Sequence, residues 1–182
     1  MNIPKRITNY LDKNKYKYEI VEHKTTYTAW DVSQTKKINP REIVKTLVLK
    51  VDKNYILAMI PADKNLDKKK LKKIINIQKK KLGEKCIKKI DFAKENWMKK
   101  NIPGKLGAIP PFKGLLKMDI FVDNLVLKNK KIYLGSGDYE ASIYMTVAEY
   151  LKKEEILKGS FNAVKKVKKQ KITSKKKRCE KK

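Results

Sequence analysis

Residues 42–50 read EIVKTLVLK, and the lysine at position 45 stands where a strand-like run asks for an apolar side chain. An ammonium group taken out of water loses hydration that the protein must replace, so a lysine in such a place needs a paired anion or a task. Two readings of Lys45 follow: it serves a site, or its stem lies along the sheet edge while its head reaches water. Few other groups offer chemistry. The one histidine, His23, has no serine or cysteine beside it in a nucleophile pattern, and a lone histidine is more often a hydrogen-bonding residue than a general base. The two cysteines, Cys86 and Cys179, form no metal-ligand spacing, so no metal and no cofactor is expected, and this cysteine usage suits a reducing compartment. No Walker-type loop is present, and LGSGDY holds G-x-G without a third glycine. What remains is a strand lysine, a loop NIPGKLGAIPPFKG at 101–114, and a late turn GSGDYEAS at 135–142.

The elements that must position these residues can be read from periodicity. Ile3, Ile7, Tyr10 and Leu11 recur at helical spacing, and YKYEIVEH alternates as a strand ending near His23. Thr28 and Asp31 have capping-box separation at the head of a helix from about Ala29 to Lys36. IVKTLVLKVDKNYILAMIP reads as two strands joined by DKN, apolar at nearly every position, which places them at the centre of a sheet buried on both faces. Leu66, Leu71, Ile74 and Ile75 then mark a helix with a lysine-rich outer face. Asp91 is expected to cap a second helix over FAKENWMKK. Three glycines and three prolines within 101–114 favour an ordered loop. MDIFVD, KIYLGS and ASIYM are short strands, and Thr146 with Glu149 caps a final helix. Strands and helices do not alternate regularly, so the expected class is α+β, a single domain whose mixed, mostly antiparallel sheet is flanked by helices.

The chain has 182 residues and a formal charge of +28, from 47 Lys and Arg against 19 Asp and Glu. A potential of that sign attracts polyanions, above all RNA or DNA, although lysine bias across a proteome could supply part of it. Residues 158–182 carry +11 of the total and cannot bury themselves; residues 1–157 are expected to be the folded domain and 158–182 a basic, flexible tail. The N-terminus lacks the apolar stretch of a signal peptide, and no run of eighteen apolar residues occurs, so a cytoplasmic protein with no membrane partner is expected. A monomer is the default.

Taken in order, YTAWDVSQ, REIVKTLVLK, YILAMIPADKNLDKKKL, GAIPPF, DIFVDNLVL and YLGSGDYEASIYMTVAEYL resemble the YbaK family of aminoacyl-tRNA deacylases, which includes the prolyl-tRNA editing domains. The likeness runs from about Tyr18 to Leu151. It implies a small domain on a mixed sheet that hydrolyses, without metal, the ester between a wrongly attached amino acid and its tRNA. Members correct tRNA for proline that carries alanine or cysteine, as free-standing proteins or as part of prolyl-tRNA synthetase. The family's lysine falls on Lys45, whose implied work is to hold an oxygen of the acylated terminal adenosine. GAIPPF matches the family's pocket wall, with the backbone amides of Gly107 and Ala108 as donors to a developing oxyanion. Tyr27, Thr28, Thr46, Pro110, Phe112, Gly135, Gly137 and Ser142 are the implied substrate contacts. Some bacterial relatives carry an aspartate where this chain has Ser142, so substrate preference does not transfer with the motif.

The expected function is therefore a trans-editing hydrolase that uses positioned water and meets the acceptor end of tRNA, above all tRNA for proline, with prolyl-tRNA synthetase as a further partner. The alternative is a noncatalytic tRNA- or RNA-binding module or synthetase accessory, which would need the basic faces but not the glycine loop. A DNA- or membrane-associating protein has only the charge in its favour; Val167 and Ile172 alone give the tail no apolar face.

Overall fold

The computed structural model describes residues 2–164. Helix α1 (Lys5–Lys13) buries Ile7 and Leu11, and strand β1 (Glu19–Glu22) follows. Helix α2 (Ala29–Lys36) carries the expected capping box: Thr28 Oγ1 accepts from the Asp31 amide, and the Asp31 carboxylate accepts from that of Thr28. Strands β2 (Val44–Val51) and β3 (Asn54–Pro61) form the hairpin, in register from Val44 opposite Pro61 to Val51 opposite Asn54. Strand β4 (Lys64–Leu66) precedes helix α3 (Lys68–Lys81), which starts where Asp67 accepts from the amides of Lys69 and Lys70, each at 3.0 Å.

The next segment departs from the sequence reading. Asp91 does not cap a helix: it lies in an edge strand, β5 (Ile90–Phe92), opposite Lys50 of β2, and pairs with Lys68 and Lys89. Helix α4 (Glu95–Asn101) begins three residues after this strand. Two apolar or aromatic positions in KIDF, Ile90 and Phe92, were too few to show a strand that exists only because β2 offers it an edge. The loop after α4 ends in a short helix, α5 (Lys113–Leu116), and is followed by β6 (Asp119–Asp123), α6 (Asn124–Leu127), β7 (Lys131–Gly135), β8 (Ala141–Thr146) and α7 (Val147–Lys153). Thr146 accepts from the Glu149 amide as a cap, while the Glu149 carboxylate accepts from the amide of Lys17.

Regular structure continues beyond residue 157. Strands β9 (Ile156–Gly159) and β10 (Asn162–Val164) belong to the fold, and Phe161 between them is fully buried. The basic run from 165 to 182 lies outside the described residues.

Three ladders result. A five-stranded mixed sheet has the order β5-β2-β3-β6-β9, with β6 parallel to both β3 and β9; β1-β8-β7 is antiparallel, and β10-β4 is a short antiparallel pair. Antiparallel pairs predominate, as expected for an α+β domain. The hairpin is apolar at most positions because both faces of the five-stranded sheet are covered. Val44, Val48, Leu57, Met59, Ile120 and Val122 pack toward α1 and the three-stranded sheet. Leu49, Val51, Ile56, Ala58, Ile60 and Phe121 pack against Leu71 and Ile75 of α3 and against Phe161. The two larger sheets meet where Ile43 bridges Tyr133, with the Tyr133 amide donating to the Glu42 carbonyl at 2.9 Å.

Asp123 fastens the C-terminal strands. Its fully buried carboxylate accepts from the amides of Leu125, Phe161 and Asn162 and from the Asn162 side chain, at 2.7–2.9 Å. Replacing it leaves buried N–H donors without partners, each costing about 1–3 kcal/mol. Asp123→Ala is expected to lower urea-unfolding stability by about 3 kcal/mol or more, and Asp123→Asn by less, because one acceptor oxygen survives.

Candidate active site

A narrow pocket of about 30 Å³ opens at the seam between the two larger sheets. Three segments bring its walls together: residues 23–28 after β1, residues 103–111 before α5, and residues 135–142, the β7–β8 turn with the strand ends that flank it. The second and third are laced by backbone hydrogen bonds, with the Lys105 amide donating to the Gly137 carbonyl at 2.8 Å and the Gly137 amide to that of Ala108 at 2.6 Å. The Tyr139 hydroxyl adds a bond to the Leu106 carbonyl at 2.6 Å, and the Thr26 amide reaches the Tyr139 carbonyl at 2.9 Å.

Glycine is required where these loops touch. Gly104 and Gly137 both have positive φ, and a Cβ on Gly104 would lie 2.4 Å from the Gly137 Cα. Gly107, at φ +93°, lies against the Tyr27 carbonyl, and a Cβ on Gly135 would fall 2.5 Å from the Ala108 carbonyl carbon. No side chain fits at such distances, and positive φ adds its own strain for other residues.

An ion pair locks the same junction. Asp138 lines the pocket with only 2% of its surface exposed; its carboxylate accepts from the Lys105 ammonium at 2.6 Å, the Tyr139 amide at 2.8 Å and the Asn2 amide at 2.5 Å. The Lys105 ammonium also lies 5.1 Å from the centre of the Tyr139 ring. Burial pushes the Asp138 carboxyl up, but the Lys105 hydrogen bond and the two amides outweigh it and hold the group at about 2. The same contact raises Lys105.

The sequence-derived site residues divide into two groups. Tyr27, Thr28, Gly107, Ala108, Gly135 and Ser142 all line the pocket. Among the described residues no group accepts from the Gly107 amide, whereas the Ala108 amide donates to the Lys105 carbonyl at 3.2 Å. Lys45, Thr46, Pro110, Phe112 and Gly137 are not lining residues. Phe112 is fully buried among Tyr10, Tyr16 and Tyr150, where it supports the loop from behind. Pro110 is buried too, and Gly137 makes the turn. Thr46 Oγ1 is buried with no hydrogen-bond partner among the described residues. Lys45 sits on β2 beside the pocket residue Val44, opposite Ile60; it is half-buried, and its ammonium donates to the Lys64 carbonyl on β4.

Sequence reasoning missed His23, Thr26, Val32, Ile43, Tyr133 and Asp138 as pocket residues. For His23 no local pattern existed, because the serine that it meets is 119 residues away. A far larger cleft of about 780 Å³ opens at the other end of the β2–β3 hairpin, between Tyr55, Trp97, Leu82 and Lys117, but none of the residues expected to do chemistry lines it. Size alone therefore does not locate the site. Among the described residues no group of His, Cys, Asp and Glu side chains is placed to hold a metal ion, and no helix is long and apolar enough to cross a membrane.

A mixed sheet with a pocket walled by two interlaced glycine turns defines a class, and the comparison with known proteins agrees: the aminoacyl-tRNA editing domain family matches residues 23–153. The chain belongs to that family. It is 30% identical over 108 residues, 59% of its length, to the proline–tRNA ligase of Fervidobacterium nodosum, and spans 17% of that ligase. A solved structure described as a candidate trans-editing enzyme for prolyl tRNA synthetase shares the fold, with a TM-score of 0.71 at 19% identity over 87% of this chain and 96% of the other. The hypothetical protein APE2540 is equally similar in TM-score and identity, covering 87% of this chain and 99% of its own.

Because the Asp138 carboxyl is depressed in the folded state, its contribution is complete above the unfolded carboxyl value of about 3.9 and is lost as pH falls through about 2. The shift corresponds to about 2 kcal/mol. Asp138→Asn is expected to be less stable than the wild type at pH 6 by about that amount, with the gap closing between pH 4 and pH 2 in urea titrations.

Proposed function

We infer that this protein hydrolyses the ester of a small amino acid wrongly attached to tRNA for proline, with alanine as the favoured substrate and cysteine next, acting free of the synthetase. The observation that carries this reading is the pocket itself: a narrow space bounded by main chain at Gly107 and Gly135, with a Gly107 amide that has no partner among the described residues. Walls of main chain at two glycines leave no flexible side chain to yield to a bulkier substrate, which favours a small one, although discrimination by size alone is worth only about ten- to two-hundredfold.

Water adds to the ester carbonyl, the acyl–oxygen bond breaks, and the ribose oxygen leaves with a proton, giving the free amino acid and intact tRNA. The Gly107 amide receives the negative charge that develops on the carbonyl oxygen. Lys45 exchanges the Lys64 carbonyl for an oxygen of the terminal adenosine, a move that a flexible four-carbon stem permits. Thr46, the next residue of β2, emerges on the opposite face of the strand, that of Val44, with a buried hydroxyl able to take up a partner. No protein nucleophile is needed, because an ester is intrinsically labile and positioning supplies much of the acceleration.

The basic exterior supports contact with the acceptor stem through its phosphates, with the unpaired end entering the pocket. A noncatalytic RNA-binding role would account for the charge but not for the glycine-walled pocket.

Deacylation of tRNA for proline charged in turn with alanine, cysteine, serine and proline tests the reading. Alanine should be released fastest. Lys45→Ala should lower kcat/KM about a hundredfold or more with the melting temperature little changed, and Lys45→Arg should lower it less. Equal release by the wild type and Lys45→Ala would remove Lys45 from the mechanism. Gly107→Ala, forced against the Tyr27 carbonyl, should cost at least as much. Affinity for tRNA should fall steeply between 50 and 200 mM salt, roughly as the number of phosphates engaged.

A further inference from the structure

The pocket contains a histidine–serine pair that the reading above does not use. β1 and β8 are antiparallel with Val21 opposite Ser142, so the residue two beyond Val21 reaches diagonally across to that serine. His23 Nε2 lies 3.0 Å from Ser142 Oγ, and both residues line the pocket. On the other side of the ring, Nδ1 is 2.9 Å from the Lys24 carbonyl oxygen, with the Thr26 hydroxyl farther off at 3.4 Å.

These partners assign the tautomer of the neutral ring. A carbonyl oxygen can only accept, so Nδ1 carries the hydrogen and donates it to Lys24; in the neutral imidazole Nε2 then holds a lone pair and accepts from the Ser142 hydroxyl. With its single hydrogen committed to His23, Ser142 can turn only oxygen lone pairs toward the pocket. A serine is ordinarily both donor and acceptor; this one is an acceptor alone. Gly107, another lining residue, has an amide with no acceptor among the described residues. The pocket residues thus offer a bound acyl group both a backbone donor and a serine acceptor.

We propose that Ser142 Oγ receives a hydrogen bond from the α-amino group of the bound aminoacyl ester, and that His23 is the positioning residue that fixes the serine as an acceptor. The proposal rests on the deacylase reading and adds the feature of the substrate that the pocket recognises. An α-amino group donates whether or not it is protonated, and its positive charge strengthens the bond to a lone pair. An acyl group of the same size without the amine leaves the Ser142 lone pairs without a donor in a pocket where the residue is only 6% exposed, which is the condition under which a missing donor is discriminated most strongly.

The test compares alanyl-tRNA with propionyl-tRNA, which differ only by the amine. The ratio of their kcat/KM values cancels intrinsic ester reactivity when variants are set against the wild type. Ser142→Ala and His23→Leu should each lower this ratio about ten- to hundredfold, and His23→Gln, whose amide oxygen can take the place of Nε2, should keep much of it. A merely structural role would slow both substrates alike and leave the ratio where it was, and that result would overturn the proposal. Binding of the nonhydrolysable 3′-amides of alanine and propionic acid on 3′-aminoadenosine gives the same comparison without turnover. Failure of the wild type to release alanine would count against the deacylase reading alone. An undiminished preference of Ser142→Ala for the alanyl amide would count against the role of the serine, whatever the turnover.

Discussion

The contact on which the site depends is the close approach of two backbone turns, Gly104 against Gly137, fastened by the ion pair of Lys105 with Asp138. Neither part works without the other. A Cβ at Gly104 would hold the turns apart, and without the carboxylate the Lys105 ammonium and the amides of Asn2 and Tyr139 would lose their common acceptor. Through this junction the loop before α5 and the turn after β7 become one rigid wall, and Gly107, Gly135 and Ser142 acquire fixed relative positions. Rigid main chain suits a site that must act on charge developing on a carbonyl, because dipoles already in place need not reorganise.

The remaining architecture supports that wall from two directions. Behind the loop lies an aromatic cluster of Tyr10, Tyr16, Phe112 and Tyr150, in which the Tyr150 hydroxyl donates to the Pro111 carbonyl at 2.6 Å. The Tyr16 hydroxyl donates to Glu154, a buried carboxylate that also accepts from the Lys113 amide at 2.9 Å; burial raises its pKa despite these bonds. From the side, the bridge between Ile43 and Tyr133 joins the five-stranded sheet to the three-stranded one and sets the end of β2 at the pocket. Lys45 follows on the same strand but lies outside the pocket lining, with its ammonium on the Lys64 carbonyl.

Much of the fold could be read from one dimension because its signals are local. The capping box at Thr28 and Asp31, the double-faced apolar hairpin at 44–61 and the threonine cap before α7 each depend on residues a few positions apart. β5, β9 and β10 could not be read in this way. Each is a few residues long and is stabilised by the edge or ladder that receives it, and the burial of Phe161 follows from Asp123, far back in the chain.

The site shows the same division. By residue type and spacing alone, the sequence determined that glycines would shape two turns, that a lysine would interrupt a buried strand, and that the surface would be strongly basic. Resemblance to a family then attached a chemistry to those residues. Only the tertiary structure decided which of them share a pocket: six do, while Phe112 and Pro110 stand behind the wall and Lys45 bonds to the Lys64 carbonyl. It also decided that a lone histidine meets a serine 119 residues away. The physical reason is that periodicity fixes the face on which a side chain emerges, but the register of β1 on β8 and the meeting of two loops fix what that face encounters.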